Sequence, residues 1–203
     1  MMAAHQLEIY FDCSSPWTYL GFERAVAIFT DETIDIIWKP ILVGGLFNTI
    51  NPSVYHSRKN PVAPKVTYRN KDLQDWASYV GIEIGWPPMH PVNSVRAMRG
   101  AFVALEHDVL VPYARAVFQQ YWGKLRDISD LGVLAEVVRL VGLQEKEFFA
   151  KIEEPAYKQR LRDTTGELAA RGGFGSPTMF LDGDDMYFGN DRIELIVNKI
   201  NSD

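Results

Sequence analysis

Ser15 stands directly before Pro16, at the point where an apolar strand gives way to a helix. Proline is tolerated in the first turn of a helix, because its missing N–H would have no partner there. Ser15 therefore lies at the helix N-terminus, beside free N–H groups and the positive end of the helix dipole. Such a position stabilises a thiolate. Cys13 is the only cysteine and no Cys-x-x-Cys spacing exists, so the thiolate must come from another molecule.

Two roles are open to the Ser15 hydroxyl. Serine beside a helix-opening proline usually caps the helix by accepting a hydrogen bond from a free backbone N–H. The same hydroxyl can donate a hydrogen bond to a sulfur anion, which requires no general base. No histidine or lysine is near Ser15 in the sequence, so the pattern argues against a Ser-His-Asp hydrolase. We interpret Cys13 as a small, half-buried residue rather than a redox centre.

The elements around Ser15 form a β-α-β unit. Apolar residues alternate over 7–12, and β-branched residues are frequent over 34–42, so both stretches are predicted strands. Between them, the stretch from Pro16 to about Thr30 has one apolar side and predicts a helix. The two strands of such a unit should be parallel.

The middle of the chain has a different character. Residues 45–68 are rich in asparagine and proline, and we predict an irregular segment there. Apolar residues then recur at helical spacing for most of the region that follows. A further long helix should open at Pro155 and end at Gly172-Gly173.

The end of the chain returns to sheet. Residues 178–181 and 186–188 predict a hairpin around a turn at 182–185, and Asp191 begins a last helix. The order of elements is that of an α/β chain with a thioredoxin-like fold and a large all-helical insertion. We assign residues 1–44 and 156–203 to the thioredoxin-like domain, and residues 45–155 to the helical insertion domain.

Composition restricts the class of partner. The net charge of −5 argues against a nucleic-acid partner, which would favour a basic face. No apolar run is long enough to span a bilayer, so no membrane contact is expected. The single cysteine and the lack of a signal-like N-terminus favour a cytoplasmic location. The four histidines are scattered without metal-ligand spacing, so we expect no metal site.

Two loops are candidates for ligand contacts beside Ser15. In thioredoxin-like proteins the proline before the third strand faces the first helix, so we predict a cis peptide bond between Ser176 and Pro177. The exposed backbone of Ser176 could then pair with an extended peptide ligand. In Phe188-Gly-Asn-Asp-Arg192, the Asp191 carboxylate either caps the last helix or receives the ammonium group of a ligand.

Together these motifs resemble those of a known family. Tyr10-Phe-Asp-Cys-Ser-Ser-Pro-Trp-Thr-Tyr-Leu-Gly21, Gly175-Ser-Pro-Thr178 and Phe188-Gly-Asn-Asp-Arg192 are similar to motifs of the 2-hydroxychromene-2-carboxylate isomerases. These enzymes belong with the kappa-class glutathione transferases in the DsbA-like branch of the thioredoxin superfamily. The resemblance covers nearly the whole chain, including Trp38-Lys-Pro-Ile41, Val43-Gly-Gly-Leu-Phe47 and Lys71-Asp-Leu-Gln-Asp-Trp76.

The resemblance implies that the cofactor is glutathione, held near its sulfur by the first helix. Ser15, followed by Pro16, matches the family's catalytic serine, whose hydroxyl donates a hydrogen bond to the glutathione sulfur. Ser176, before Pro177, matches the residue whose backbone pairs with the cysteinyl part of the tripeptide.

The resemblance also implies contacts for the two ends of glutathione. Asn190 and Asp191 match the turn that holds the γ-glutamyl end, and Lys65 matches a lysine that meets the glycine carboxylate. The family further uses an asparagine after the Gly-Gly-x-Phe turn, but the segment 48–60 is longer here than the family form. Asn51 is our choice for that asparagine, with Asn48 and Asn60 as alternatives.

The activity implied by the resemblance is a glutathione-dependent cis–trans isomerisation of 2-hydroxychromene-2-carboxylate or a similar small aromatic substrate. The glutathione thiolate would add to the opened substrate, allow rotation about the resulting single bond, and leave again. A kappa-like glutathione transferase or peroxidase is one alternative, and a non-catalytic thioredoxin-fold binding protein is another. Apolar faces on the helical block favour a homodimer.

Aromatic residues near these motifs are candidates for the substrate pocket. Trp17 closely follows Ser15 and is expected at the pocket mouth. The stiff loop from Trp86 to Pro91, which contains His90, either lines an aromatic pocket or connects two helices.

Overall fold

The computed structural model describes residues 5–30 and 34–202, and within them the strands form a sheet in the order β2-β1-β3-β4. The strands are β1 (His5–Phe11), β2 (Ile34–Pro40), β3 (Thr178–Leu181) and β4 (Asp185–Phe188). β1 and β2 pair in parallel, as predicted, whereas β3 is antiparallel to both β1 and β4. A short loop after the carboxyl end of β1 leads to Ser15.

Helix α1 (Pro16–Ile28) connects β1 to β2, and a block of helices separates β2 from β3. That block contains α2 (Val43–Thr49), α3 (Ser53–Lys59), α4 (Ala63–Val80), α5 (Val95–Glu106), α6 (Leu110–Phe118), α7 (Leu131–Leu140), α8 (Glu145–Glu153) and α9 (Pro155–Ala170). A π-helical turn (Gln119–Gly123) continues α6, and a 3-10 turn (Asn190–Arg192) precedes α10 (Ile193–Ile200). The predicted thioredoxin-like fold with a helical insertion is confirmed.

The prediction of an irregular segment over 45–68 is wrong, because α2, α3 and the start of α4 cover most of it. Its prolines stand where helices begin: Pro52 directly precedes α3, and Pro64 lies in the first turn of α4. Proline is well suited to such positions, where its missing N–H costs nothing. The last helix also differs slightly from its prediction, since Asp191 lies in the 3-10 turn and α10 begins at Ile193.

The largest hydrophobic core joins the thioredoxin-like part to the helical block. Phe11 and Phe22 belong to the same buried cluster as Phe118 and Trp122, and the rings of Phe22 and Phe118 are 5.3 Å apart. The proposed division into 1–44 with 156–203 and 45–155 stays a prediction, but its two parts share this core.

Within the described residues, every helix is too short or too polar to cross a membrane. The homodimer also stays a prediction.

Gly100 in α5 is enclosed too tightly to accept a larger residue. A Cβ atom at Gly100 would lie 2.3 Å from both the Tyr113 hydroxyl and Phe148 Cζ, and both rings are fully buried. We expect Gly100→Ala to lower the free energy of unfolding by about 1–3 kcal/mol, as measured by urea denaturation.

Gly166 in α9 is the matched control, because no heavy atom lies within 4 Å of its Cβ position. Gly166→Ala should raise the free energy of unfolding by about 0.5–1 kcal/mol, since alanine restricts the unfolded chain and favours the helix. The same change in stability from both substitutions would contradict the tight packing at Gly100.

Candidate active site

Ser15 occupies the N-cap of α1. Its Oγ accepts a hydrogen bond from the Thr18 N–H at 3.2 Å and donates one to the Ser176 carbonyl at 3.2 Å. Pro16 lies in the first turn of the helix. The capping role is therefore present, and the hydroxyl proton is shared with an acceptor on the opposite loop. That proton is the one that Ser15 could donate to a bound sulfur.

The loop before β3 is held against α1. The peptide bond between Ser176 and Pro177 is cis, as predicted. The hydroxyl groups of Ser176 and Thr18 are 2.8 Å apart, and Ser176 Oγ also accepts a hydrogen bond from the Asp12 N–H at 3.2 Å. A Cβ atom at Gly21 would lie 3.1 Å from Pro177 Cγ, so α1 approaches this loop closely because it has a glycine there.

A cavity of about 770 Å³ opens beside Ser15, at the N-terminal ends of α1, α2 and α5. Seven of the residues assigned to the site from the sequence line it, namely Ser15, Pro16, Trp17, Asn51, Trp86, His90 and Ser176. Four others do not line it, namely Lys65, Pro177, Asn190 and Asp191. The structure thus brings the candidates for contacts with the glutathione sulfur and the candidates for the aromatic pocket together around one cavity.

The remaining candidates lie outside the wall of this cavity. Lys65 is exposed in the first turn of α4. Asp191 pairs with the neighbouring Arg192 at 2.7 Å and does not cap α10. Asn190 is buried and its carbonyl accepts a hydrogen bond from Arg24, whereas its Nδ2 donor has no partner among the described residues.

The three candidate asparagines differ in position. Asn48 and Asn51 both line the cavity, and Asn60 does not. The Asn51 side chain donates to the Phe174 carbonyl at 3.4 Å and accepts from the Ser53 hydroxyl at 2.5 Å. Asn51 therefore connects α2 and α3 to the loop before β3, whereas the Asn48 side chain accepts a hydrogen bond from the nearby Tyr55 hydroxyl at 2.8 Å.

Asp12, which the sequence reasoning did not single out, joins three segments of the cavity wall. Its buried carboxylate accepts hydrogen bonds from Ser14 N–H at 2.9 Å, Val43 N–H at 2.8 Å and the Ser94 hydroxyl at 3.2 Å. These donors belong to the loop before α1 and to the starts of α2 and α5. Burial raises the pKa of Asp12, and the hydrogen bonds oppose that shift.

The loop between α4 and α5 forms an aromatic wall. Trp86 contacts His90 and Trp122 edge-on, with ring centroids 5.5 Å and 5.9 Å apart. His90 Nδ1 is 2.9 Å from the Tyr121 hydroxyl. Burial lowers the pKa of His90, and the positive charges of Arg58 and Arg69 lower it further. The loop is thus part of the cavity wall as well as a helix connector.

Arg58 and Arg69 also line the cavity and were missed by the sequence reasoning. Arg69 is four residues after Lys65 in α4, so the two share one face of that helix. That spacing could have indicated Arg69, but only if a helix had been predicted there. Arg58 lies in α3, which was predicted to be irregular.

The chain offers no reactive thiol of its own in the described structure. Cys13 is fully buried rather than half-buried as predicted, since it belongs to the same core cluster as Trp122, whose Nε1 donates to the Cys13 carbonyl at 2.9 Å. Burial raises the pKa of the Cys13 thiol well above its ordinary value. Among the described residues, no group of three His, Cys, Asp or Glu side chains is placed to hold a metal ion.

A model of the DsbA-like thioredoxin domain matches residues 6–201. The chain belongs to the DsbA-like thioredoxin family. It is 30% identical over 96% of its length to the 2-hydroxychromene-2-carboxylate isomerase of Pseudomonas sp. strain C18, and covers 89% of that protein. It is 28% identical over 95% of its length to human glutathione S-transferase kappa 1, and again covers 89%.

Comparison of the fold with solved structures indicates the same relatives. A solved structure of 2-hydroxychromene-2-carboxylate isomerase superposes with a TM-score of 0.83 at 26% identity, covering 97% of this chain and 95% of the other. The chain is therefore an enzyme of the branch that contains these isomerases and the kappa-class transferases. The resemblance drawn from its motifs is confirmed.

Proposed function

We propose that this protein is a glutathione-dependent cis–trans isomerase that acts on 2-hydroxychromene-2-carboxylate or a similar aromatic compound. The observation that carries the proposal is the Ser15 hydroxyl, which caps α1 at the cavity wall and shares its proton with the Ser176 carbonyl. The chain is similar over nearly its full length to enzymes named for this isomerisation.

The cavity has the properties that a small anionic peptide requires. Its volume of about 770 Å³ is within the range of small-molecule sites. The N-terminal ends of α1 and α5 reach its wall, and helix N-termini favour anions. No aspartate or glutamate is among the described residues of that wall, so the carboxylates of glutathione would meet no fixed negative charge there.

We assign the contacts from the sulfur outward. Ser15 and Pro16 would face the sulfur, the Ser176–Pro177 backbone would pair with the cysteinyl unit, and Asn51 would contact the peptide from the turn between α2 and α3. The ends of glutathione would extend past the wall to Lys65, Asn190 and Asp191. The buried Asn190 Nδ2 supports this assignment, because a ligand acceptor would remove the penalty of an unpaired buried donor.

When bound, glutathione supplies the thiolate that adds reversibly to a substrate double bond. The protein residues supply the rest of the catalysis. The Ser15 hydroxyl exchanges its bond to the Ser176 carbonyl for one to the sulfur, which favours the ionised form of the thiol. Trp17, Trp86 and His90 hold the aromatic ring in the adjoining part of the cavity and exclude water.

The thiol pKa of bound glutathione tests the proposed site directly. We expect it to be roughly one to two units below that of the free tripeptide, since both Ser15 and the N-terminus of α1 stabilise the thiolate. A titration of thiolate absorbance with saturating protein measures this shift. S-methyl glutathione is the control, because it has no thiol proton to lose. An unshifted thiol pKa would refute the proposal.

A kappa-like glutathione transferase is the second candidate, favoured by the 28% identity to human glutathione S-transferase kappa 1. The two activities differ in the fate of glutathione. An isomerase returns all of it after many turnovers, whereas a transferase consumes one molecule for each product. Assay of free thiol after complete conversion of 2-hydroxychromene-2-carboxylate, and separately of a haloaromatic compound, distinguishes the two.

A further inference from the structure

Arg58 and Arg69 are two positive charges on the wall of a cavity that has no acidic residue among its described lining. Neither guanidinium forms a salt bridge within residues 5–30 and 34–202, although many other arginines of the chain do. The protein as a whole has a net charge of −5, so this concentration of positive charge is local. Unpaired guanidinium groups at a cavity wall favour binding of an anion.

The two arginines lie against aromatic rings. The guanidinium carbon of Arg69 is 5.5 Å from the centre of the Trp86 ring, and that of Arg58 is 5.6 Å from the centre of the Phe47 ring. Such stacking holds a guanidinium in place while its N–H groups remain free to bind a carboxylate. Both charges are also close enough to His90 to lower its pKa.

Two carboxylate-bearing ligands could meet these arginines, namely glutathione and the second substrate. The residues assigned to the sulfur of glutathione are Ser15 and Ser176, at the N-terminus of α1. Arg69 instead stacks on Trp86 and lowers the pKa of His90. Trp86 and His90 are in contact and form the aromatic wall. A planar aromatic acid held by that wall would place its carboxylate within reach of a guanidinium.

We propose that Arg58 and Arg69 form a subsite that binds the carboxylate of the aromatic substrate and so selects anionic over neutral substrates. This rests on the proposed function only for the identity of the reaction, because the subsite can bind an aromatic carboxylate without turnover. Arginine forms paired, planar hydrogen bonds with carboxylates, and the partly enclosed cavity strengthens the attraction. A neutral analogue of the same shape would lose that attraction.

The binding of trans-2-hydroxycinnamate and of its neutral amide, measured by calorimetry, tests the subsite. We expect Arg58→Gln and Arg69→Gln each to raise the Kd of the carboxylate by roughly 10- to 100-fold. The Kd of the amide and the Kd of glutathione should change less than about twofold. Arg139→Gln is the control for net charge, because Arg139 pairs with Glu145 on the surface and does not line the cavity.

Three outcomes would overturn the proposal. If the arginine variants weaken glutathione but not the aromatic carboxylate, the pair serves the peptide. If carboxylate and amide weaken equally, the arginines act through packing. If the wild-type protein does not prefer the carboxylate to the amide, the subsite does not exist. Failure of the proposed function would appear separately, as absent glutathione binding or an unshifted thiol pKa in the wild-type protein.

The pKa of His90 provides a second test, because ligand binding would not raise it if the two arginines had a purely structural role. The groups that act on it are Arg58, Arg69 and the Tyr121 hydroxyl. A carboxylate bound between the arginines should raise the pKa of His90, because it offsets their positive charge. The amide should not. Proton NMR titration measures both, with the His90 resonance assigned from its absence in His90→Gln.

Discussion

Replacing Ser15 with alanine is expected to lower kcat for the isomerisation by roughly 10- to 1000-fold, the usual effect of losing one preorganised hydrogen-bond donor. The thiol pKa of bound glutathione should rise toward that of the free tripeptide in the same variant. The reason is that Ser15 Oγ, at the N-cap of α1, donates its hydroxyl proton to the Ser176 carbonyl on the opposite loop. Steady-state kinetics and thiolate absorbance measure the two effects.

The loss of Ser15 also removes a helix cap, so the catalytic effect needs a matched control. Asp130 caps α7 by accepting from Gly132 and Val133 N–H, and it does not line the cavity. Both Ser15→Ala and Asp130→Ala should lower the free energy of unfolding by about 1 kcal/mol. Only Ser15→Ala should lower kcat. Full activity of Ser15→Ala, or activity without added glutathione, would contradict the proposed role.

Replacing Asp12 with asparagine is expected to cause a large loss of stability for a single isosteric change. The two carboxylate oxygens accept three hydrogen bonds, from Ser14, Val43 and Ser94. An amide has only one oxygen, so its NH₂ group must face at least one buried donor. We expect the free energy of unfolding at neutral pH to fall by about 1–3 kcal/mol in urea denaturation.

The loss of stability in Asp12→Asn should depend on pH in a direction set by the pKa of Asp12. Burial raises the pKa of Asp12 in the folded protein. Stability contributed by such a group is fully present below its unfolded pKa and is lost as the pH rises through its folded pKa. The difference in unfolding free energy between wild type and Asp12→Asn should therefore decrease as the pH rises. A difference that grows with pH would show that the carboxylate is stabilised as an anion.

Asp127→Asn is the control for Asp12→Asn. Among the described residues, Asp127 Oδ1 accepts hydrogen bonds from the N–H and the hydroxyl of Ser129, at 2.8 Å and 2.6 Å, so one amide oxygen can replace it. Its substitution should change the unfolding free energy by less than about 0.5 kcal/mol. Asp12→Asn should also lower kcat, since Val43 and Ser94 begin two helices of the cavity wall. Unchanged stability and activity would show that Asp12 does not hold these helices.

Some of the site could be predicted because its signals are local. A serine before a helix-opening proline marks a helix N-terminus within a few residues, and Ser15 caps α1 as that pattern allows. The order of strands and helices follows from hydrophobic periodicity over short windows. Ser176 and Pro177 were located by their place before β3, which depends on that order.

The short helices of the cavity wall could not be predicted in the same way. Helices as short as α2 and α3 are not stable alone, since nucleation costs more than a few hydrogen bonds return. Distant contacts support the start of α2. Asp12 accepts from Val43 N–H, and Thr165 Oγ1 accepts from Leu42 N–H at 3.0 Å. The local composition of asparagine and proline gave no sign of these partners.

The sequence by itself determined the fold family, the N-terminal position of Ser15 and the loops that face it. The tertiary structure alone decided that Asp12 joins three wall segments, and that Arg58 and Arg69 line the cavity against the Phe47 and Trp86 rings, respectively. The physical reason is the distance along the chain between the residues that interact. Caps and turns act over a few residues, whereas the Asp12 carboxylate meets donors 31 and 82 positions away, which only the folded chain brings together.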